Sequence, residues 1–322
     1  TAGFAGNRVG FKVLNECAIL AEEHGPALVD KIVGPYTGRA LTPLATVDLV
    51  GWDIHRAIVD NIVALTKDEA HSTLVLPKYM AELMDKGTLG NKSGRGFFDH
   101  SEGALAPAAE EAGSAAVLPG AVTLEGDLGP AAALGDLLLH QDGIAVDRCN
   151  GLGLLRVDGH AVTLSDGRTA TERSLALGEP VVLFDLAPDY ATCTRVALAA
   201  AAQCSDEHLA KAIGLFTLLG KQVSVLADTP GLAVTRAVAM LVNEAADAVL
   251  GMDDEIALAQ GRHVLDELVR GAPAAPRHMR HPVAEQVVLA SGRHFGQFDR
   301  PCGGDGDGFG RINLYLASGH RC

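Results

Sequence analysis

Aromatic residues make up only 4% of this 322-residue chain, with a single tryptophan, so its cores must be built from Leu, Val, Ile and Ala, a composition that suits closely approaching helices. Basic residues are short as well: 26 Lys and Arg stand against 40 Asp and Glu, a formal charge of −14. That excess repels a nucleic-acid duplex unless a local basic patch offsets it, and none stands out, so no nucleic-acid partner is expected. The groups Arg277, Arg280 and Lys86, Lys92, Arg95 read as solvated surface charge. The six cysteines, Cys17, Cys149, Cys193, Cys204, Cys302 and Cys322, contain no C-x-x-C. That spacing fits free thiols in a reducing compartment. There is no basic stretch leading into a short apolar run at the start, and no apolar run reaches about 18 residues. The expectation is a cytoplasmic protein with no membrane partner.

Several motifs are incomplete or missing. No G-x-S-x-G nucleophile elbow occurs. Gly151-Leu152-Gly153 begins a G-x-G but puts Arg156 where a dinucleotide loop needs its third glycine, and it leads into a strand, so it reads as a hairpin turn. Gly90 to Gly96 contains Lys92-Ser93 without P-loop spacing and reads as a turn. His278 and His281, near His263 and His294, come closest to a metal set, but Pro282 breaks the helix that would present them and no Cys or acid joins at ligand spacing. They read as loop histidines.

What the chain does have is one helical module twice. Thr1 to Ala18 and Thr229 to Ala246 match at seven of eighteen positions, among them Gly3/Gly231, Arg8/Arg236, Asn15/Asn243 and Glu16/Glu244. The endings match too, since Ser93-Gly94-Arg95-Gly96-Phe97 returns as Ser291-Gly292-Arg293-His294-Phe295. The second copy is shorter by about a helix or two. Phe4, Phe11, Leu14, Ala18 and Ala21 share one helical face, predicting an amphipathic helix over 4–23, with further helices at about 27–33, 43–50, 53–65 and 76–86. Thr42-Pro43 reads as an N-cap threonine ahead of an N1 proline, and Pro77 as another helix start. From 118, short apolar strands at 120–124, 154–157, 161–164, 180–185, 194–198 and 222–227 alternate with helices at 129–139, 169–177 and 205–219, the mark of a small layered α/β unit. The expected organisation is a helical domain over 1–98, a linker over 99–117, an α/β domain over 118–229, a second, shortened helical domain over 230–298 and a disordered tail over 299–322.

Three stretches in order, Gly3-Phe4-Ala5-Gly6-Asn7-Arg8, Leu41-Thr42-Pro43-Leu44-Ala45-Thr46-Val47-Asp48-Leu49-Val50-Gly51 and Gly90-Asn91-Lys92-Ser93-Gly94-Arg95-Gly96-Phe97-Phe98, together resemble the C-terminal domain of 3-hydroxyacyl-CoA dehydrogenases. Residues 167–295 resemble the second half of the duplicated bacterial members, of the hydroxybutyryl-CoA and phenylacetate-pathway type. The resemblance implies a mostly α chain with a central α/β segment: two helical domains of the 6-phosphogluconate-dehydrogenase C-terminal type flanking a degenerate Rossmann-like domain. It implies NAD as cofactor, a 3-hydroxyacyl-CoA as substrate, a place in fatty-acid and acyl-CoA metabolism, and a homodimer formed through the helical domains. In the family, the NAD-binding domain precedes the Thr-Pro-Gly-Phe turn and supplies a catalytic His–Glu pair; the expectation is that this chain lacks it and is inactive alone. One catalytic residue belongs to the helical domain, an Asn that maps onto Asn7, whose amide can donate to the substrate oxygen without titrating near neutral pH. The second copy has Thr235 there, and the His–Glu pair maps onto about Asp185 and Ala197, which cannot relay a proton. The alternative reading is a non-catalytic dimerisation or acyl-CoA-binding scaffold.

Overall fold

The computed structural model describes residues 5–37, 41–66, 78–104 and 107–241, with the backbone alone for residues 5–9, 37, 62, 63, 65, 66 and 79. Most of the expected second helical domain, 242–298, and the tail, 299–322, lie outside the described residues, as does Pro77. Helices α1 (Ala5–His24), α2 (Pro26–Val33), α3 (Pro43–Val50), α4 (Trp52–Thr66) and α5 (Lys78–Asp85) are followed by a seven-stranded mixed sheet. Its elements are β1 (Ala121–Glu125), α6 (Ala132–Leu139), β2 (Ala145–Cys149), β3 (Leu154–Val157), β4 (His160–Leu164), α7 (Ala170–Leu177), β5 (Val181–Phe184), β6 (Arg195–Ala200), α8 (Asp206–Leu218) and β7 (Gln222–Val225). A further helix runs from 234 to the last described residue, 241.

The sheet order is β2-β1-β3-β4-β5-β6-β7, with parallel pairs at β1/β2, β4/β5 and β6/β7 and antiparallel pairs elsewhere. Its central strands are buried on both faces, which explains their uninterrupted apolar runs. Val182, Phe184, Val196 and Leu198 face α6 and α8, where Leu134, Leu138, Ile213 and Phe216 pack. The alternate residues Val181, Leu183, Ala197 and Ala199 face the other way, into one core with Leu14, Cys17, Leu28, Ile32 and Leu44 of the helical segment and Ala233, Val234 and Ala237 of the repeat. Three alanines on that face of the sheet, Ala161, Ala197 and Ala199, let the helices approach closely. The helical and α/β parts of the sequence therefore share a core. Burial pushes the Cys17 thiol well up, so it behaves as a small apolar group.

Two local expectations are corrected. Strand β2 has no apolar run, because four of its five residues are exposed along a sheet edge, and so its pattern is invisible to hydrophobic periodicity. The Gly151-Leu152-Gly153 turn is not a hairpin turn: β2 and β3 are not neighbours, and the loop crosses over the end of β1, which lies between them. The amides of Gly126 and Gly153 hydrogen-bond to the carbonyls of Cys149 and Glu125 at 2.9 and 2.8 Å. A Cβ on Gly126 would lie 2.4 Å from the Gly151 carbonyl oxygen, and one on Gly151 would lie 2.2 Å from the Glu125 side chain. The glycines serve a backbone crossing.

A recurring device orients the helices: a carboxylate from a distant element takes the free amides of a helix start. Thr42 is indeed the N-cap of α3, but its hydroxyl donates to Asp30 (2.5 Å) instead of capping. It is Asp30, from α2, that accepts from the Leu44 and Ala45 amides at 2.9 and 3.3 Å. Asp228 likewise accepts from the Ala170 and Thr171 amides of α7. The stretch 99–117, expected as a linker, is held along the sheet edge: Ala112 donates to the Val223 carbonyl, Ser224 to the Glu110 carbonyl, and Val117 to the Ala210 carbonyl of α8.

Candidate functional site

Asn7 lies in the first turn of α1. Its side chain is outside the described residues, so what is visible is how the protein holds the helix that carries it. One turn on, the Phe11 ring meets His55 of α4 with ring centroids 5.5 Å apart. His55 is fully buried, and neither ring nitrogen has a hydrogen-bond partner among the described residues. Burial lowers its pKa to about 4, so the folded protein keeps the ring neutral while an unfolded chain would protonate near the ordinary 6.5. Stability that is present above pH 6.5 is therefore lost as the pH falls toward 4, by up to about 3 kcal/mol. Urea unfolding at pH 7.5 and pH 4.5 should show this slope in the native chain and a flatter one in His55→Phe. Equal slopes would assign the acid sensitivity to other groups.

The second and third motifs of the resemblance meet at Asp48. This fully buried carboxylate accepts from the Trp52 indole (2.7 Å), the Phe97 and Phe98 amides (both 2.9 Å) and the His100 ring (2.8 Å). Gly90 and Gly96 are required beside it, because a Cβ at either would fall 2.3 Å from the Asp48 carbonyl oxygen or 2.1 Å from its carboxylate. The Trp52 ring meets that of Phe97 at a tilt, with centroids 4.6 Å apart, and closes the corner. Lys92 also pairs with Asp53. The sequence signal for this site is a single acid within the apolar octet of α3, and its role as the anchor of the Gly90–Phe98 closure emerges only in three dimensions. Tertiary packing joins residues some 50 positions apart, and it does so for structural reasons.

In the α/β part, the structure brings Asp185, Ala197 and Thr235 together. The Asp185 amide bonds to the Ala197 carbonyl at 2.9 Å across β5 and β6, and the Asp185 side chain reaches the start of the 234–241 helix. There it takes five donors: the amides of Ala233 (3.0 Å), Val234 (2.7 Å) and Thr235 (3.0 Å), the Thr235 hydroxyl (2.9 Å) and its neighbour amide on Leu186 (2.8 Å). Burial pushes the Asp185 carboxyl up while those donors pull it down. A carboxylate with about four lone-pair directions, all engaged by donors, has none left to abstract a proton. Arg236, the counterpart of Arg8, reaches back to α1 and pairs with Glu16 and, at 3.5 Å, with Glu23.

A cleft of about 260 Å³ opens beside this cluster, lined by Lys31, Ile32 and Pro35 on the helical side and by Asp185, Cys193 and Arg195 on the other. The crossing loop at Gly151–Gly153 does not fit a dinucleotide: Arg156 and Glu125 fill its rim as an ion pair at 2.8 Å, and no helix follows to offer its amides to a pyrophosphate. His263, His278, His281 and His294 lie outside the described residues, and among the described residues no group of three metal-ligating side chains converges. No helix among the described residues is long and apolar enough to cross a membrane.

Comparison with known proteins matches this geometry to one family. Residues 3–100 match the family described as 3-hydroxyacyl-CoA dehydrogenase, C-terminal domain, and residues 162–230 match the 3-hydroxybutyryl-CoA dehydrogenase reduced Rossmann-fold domain. The chain is similar to the 3-hydroxyadipyl-CoA dehydrogenase of Escherichia coli K12, 29% identical over 252 residues that cover 77% of this chain and 46% of that protein. It is similar to a probable 3-hydroxybutyryl-CoA dehydrogenase of Bacillus subtilis, 31% identical over 103 residues, 31% of this chain and 34% of the relative. The chain thus spans less than half the length of these curated relatives. The crystal structure of a 3-hydroxybutyryl-CoA dehydrogenase from E. coli K12 shares the fold, with a TM-score of 0.58 at 24% identity, over 91% of this chain and 61% of that one. The matches of both its helical start and its reduced α/β unit support membership of the 3-hydroxyacyl-CoA dehydrogenase family.

Proposed function

We propose that this chain is the substrate-side portion of an NAD-dependent 3-hydroxyacyl-CoA dehydrogenase, an oxidoreductase converting a 3-hydroxyacyl-CoA to the 3-ketoacyl-CoA. In this reading the first helical module is the working copy, Asn7 orients the substrate oxygen, and the α/β unit with the second module is a structural relic. The observation that carries it is the state of Asp185: the carboxylate at the former base position serves as a helix cap with every acceptor direction occupied. No residue at the Gly151–Gly153 loop suits NAD, so the cofactor is assigned to a separate NAD-binding domain. The helical modules also serve dimerisation in this reading; Leu41, Leu49 and Ile54 remain exposed around the α3–α4 corner. Light scattering across a wide concentration range should show a dimer, and an invariant monomer would remove that part.

The reading is tested by mixing the purified chain with NAD and 3-hydroxybutyryl-CoA or 3-hydroxyadipyl-CoA, the two acyl groups suggested by the relatives' names. No reduction of NAD is expected from the chain alone, while calorimetric titration with acetoacetyl-CoA should give binding heat. Turnover by the isolated chain would overturn the account of what Asp185 and Ala197 cannot do. Absence of heat would favour a non-catalytic scaffold over a substrate-binding portion.

A further inference from the structure

At the far end of the sheet from the Asp185 cluster, two histidines lie against each other. His160 opens β4 directly after the tight Asp158-Gly159 turn, where both residues have positive φ (47° and 88°), and its ring lies 4.0 Å from that of His208, in the first turn of α8. His208 occupies the third helical position, where a capping box ordinarily has Glu or Gln. Its Nδ1 accepts from the backbone amide of the N-cap residue Ser205 at 3.1 Å and lies 2.6 Å from the Ser205 hydroxyl. One turn further, Lys211 pairs with Asp158 at 2.6 Å, and the other oxygen of Asp158 accepts from the Gly120 and Ala121 amides at 3.0 and 2.8 Å. The Ala210 carbonyl of the same helix accepts from Val117. The start of α8, the β3–β4 turn and the 117–121 strap leading into β1 are therefore tied into one cluster.

We propose that His208, with the His160 ring against it, forms a proton-operated latch, which holds the first turn of α8 against the β3–β4 turn while its Nδ1 is free to accept and releases it, with the strap bonded to it, when Nδ1 is protonated. An imidazole can accept the Ser205 amide only through an unprotonated Nδ1. Once Nδ1 carries a proton, the Ser205 amide faces a donor at 3.1 Å and loses its acceptor, although the ring can still donate to the Ser205 hydroxyl. A carboxylate or amide at this position would not titrate in the neutral range, so the choice of His makes this cap pH-dependent. The charges that act on His208 are those of His160, from β4, and Glu207, from α8; Asp206 stands in the same first turn, and Lys211 and Asp158 neutralise each other as an ion pair. Burial lowers the His208 pKa, the His160 charge lowers it further, and Glu207 opposes both, so the latch stays closed at neutral pH and opens below the ordinary histidine range.

The test is amide hydrogen exchange by NMR on the full chain at pH 7.5 and pH 5.0, corrected for intrinsic exchange rates. The Ser205 amide should lose roughly fivefold of its protection at the lower pH, the equivalent of a lost helix cap. The β5 amides of Val182 and Leu183 report the global loss of stability tied to His55, and they should lose the same protection in the native chain and in His208→Gln, which separates that loss from local release at Ser205. His208→Gln keeps an acceptor that does not titrate, so its Ser205 protection should be the same at both values. His160→Gln removes the neighbouring charge and should move the transition to higher pH. Unchanged Ser205 protection in the native chain, or an equal loss in His208→Gln, would overturn the latch.

Discussion

Replacing Asp185 by alanine is expected to lower the unfolding free energy by roughly 3–5 kcal/mol, since it strips several buried donors of their acceptor at the closed end of the cleft. Asp185 is 1% exposed and Thr235 4%, so the amides of Ala233, Val234 and Thr235 have little solvent to turn to. Asp185→Asn should recover part of the loss, because its carbonyl oxygen still accepts while its NH₂ group meets amide donors. Thr235→Val, which removes only the hydroxyl, should cost about 1 kcal/mol. Urea unfolding with an unchanged m-value checks all three. A loss under about 1 kcal/mol for Asp185→Ala would show that the site re-hydrates or repacks cheaply, and the carboxylate would then be no anchor for the repeat.

Asn7 is expected to carry a catalytic effect that its counterpart Thr235 does not. In the polypeptide that includes the family's NAD-binding domain, Asn7→Ala should lower kcat/KM by roughly 10²–10³, the usual consequence of removing one donor to a developing oxyanion. The loss should fall on kcat more than on KM, because the amide is asked to bind the transition state more tightly than the substrate. Asn7→Asp should be worse, since it places negative charge beside the oxygen that gains charge. Thr235→Val should leave kcat unchanged in protein that remains folded. Activity of Asn7→Ala within about threefold of the native enzyme would reassign the residue to helix-start structure, where an Asn satisfies nearby backbone.

The helical periods of α1 and α4, the alternation of strands and helices from 118 and the repeated Thr-x-Gly start are local patterns, and they were legible without coordinates. β2 escaped because an edge strand exposed on most of its length has no apolar pattern to read. The carboxylate caps escaped for a different reason: Asp30, Asp185 and Asp228 each act on helix-start amides between 14 and 58 positions away, and nothing in a local window links donor and acceptor. The glycines of the Gly151–Gly153 loop were recognised as a turn, yet which strands the turn joins depends on β1 lying between them.

By itself the sequence determined the repeated motifs, the family likeness and the residue types that align with the family's His–Glu pair, because these depend only on which side chain stands where. That an Asp and an Ala cannot serve as a His–Glu pair follows from their chemistry alone. What Asp185 does was decided by the tertiary structure, which packs the repeat's helix start against the end of β5 and makes the carboxylate the cap of that helix. The same packing merges the helical segment and the sheet into one core through small alanines, because burial is settled by which surfaces meet and not by the order of segments along the chain.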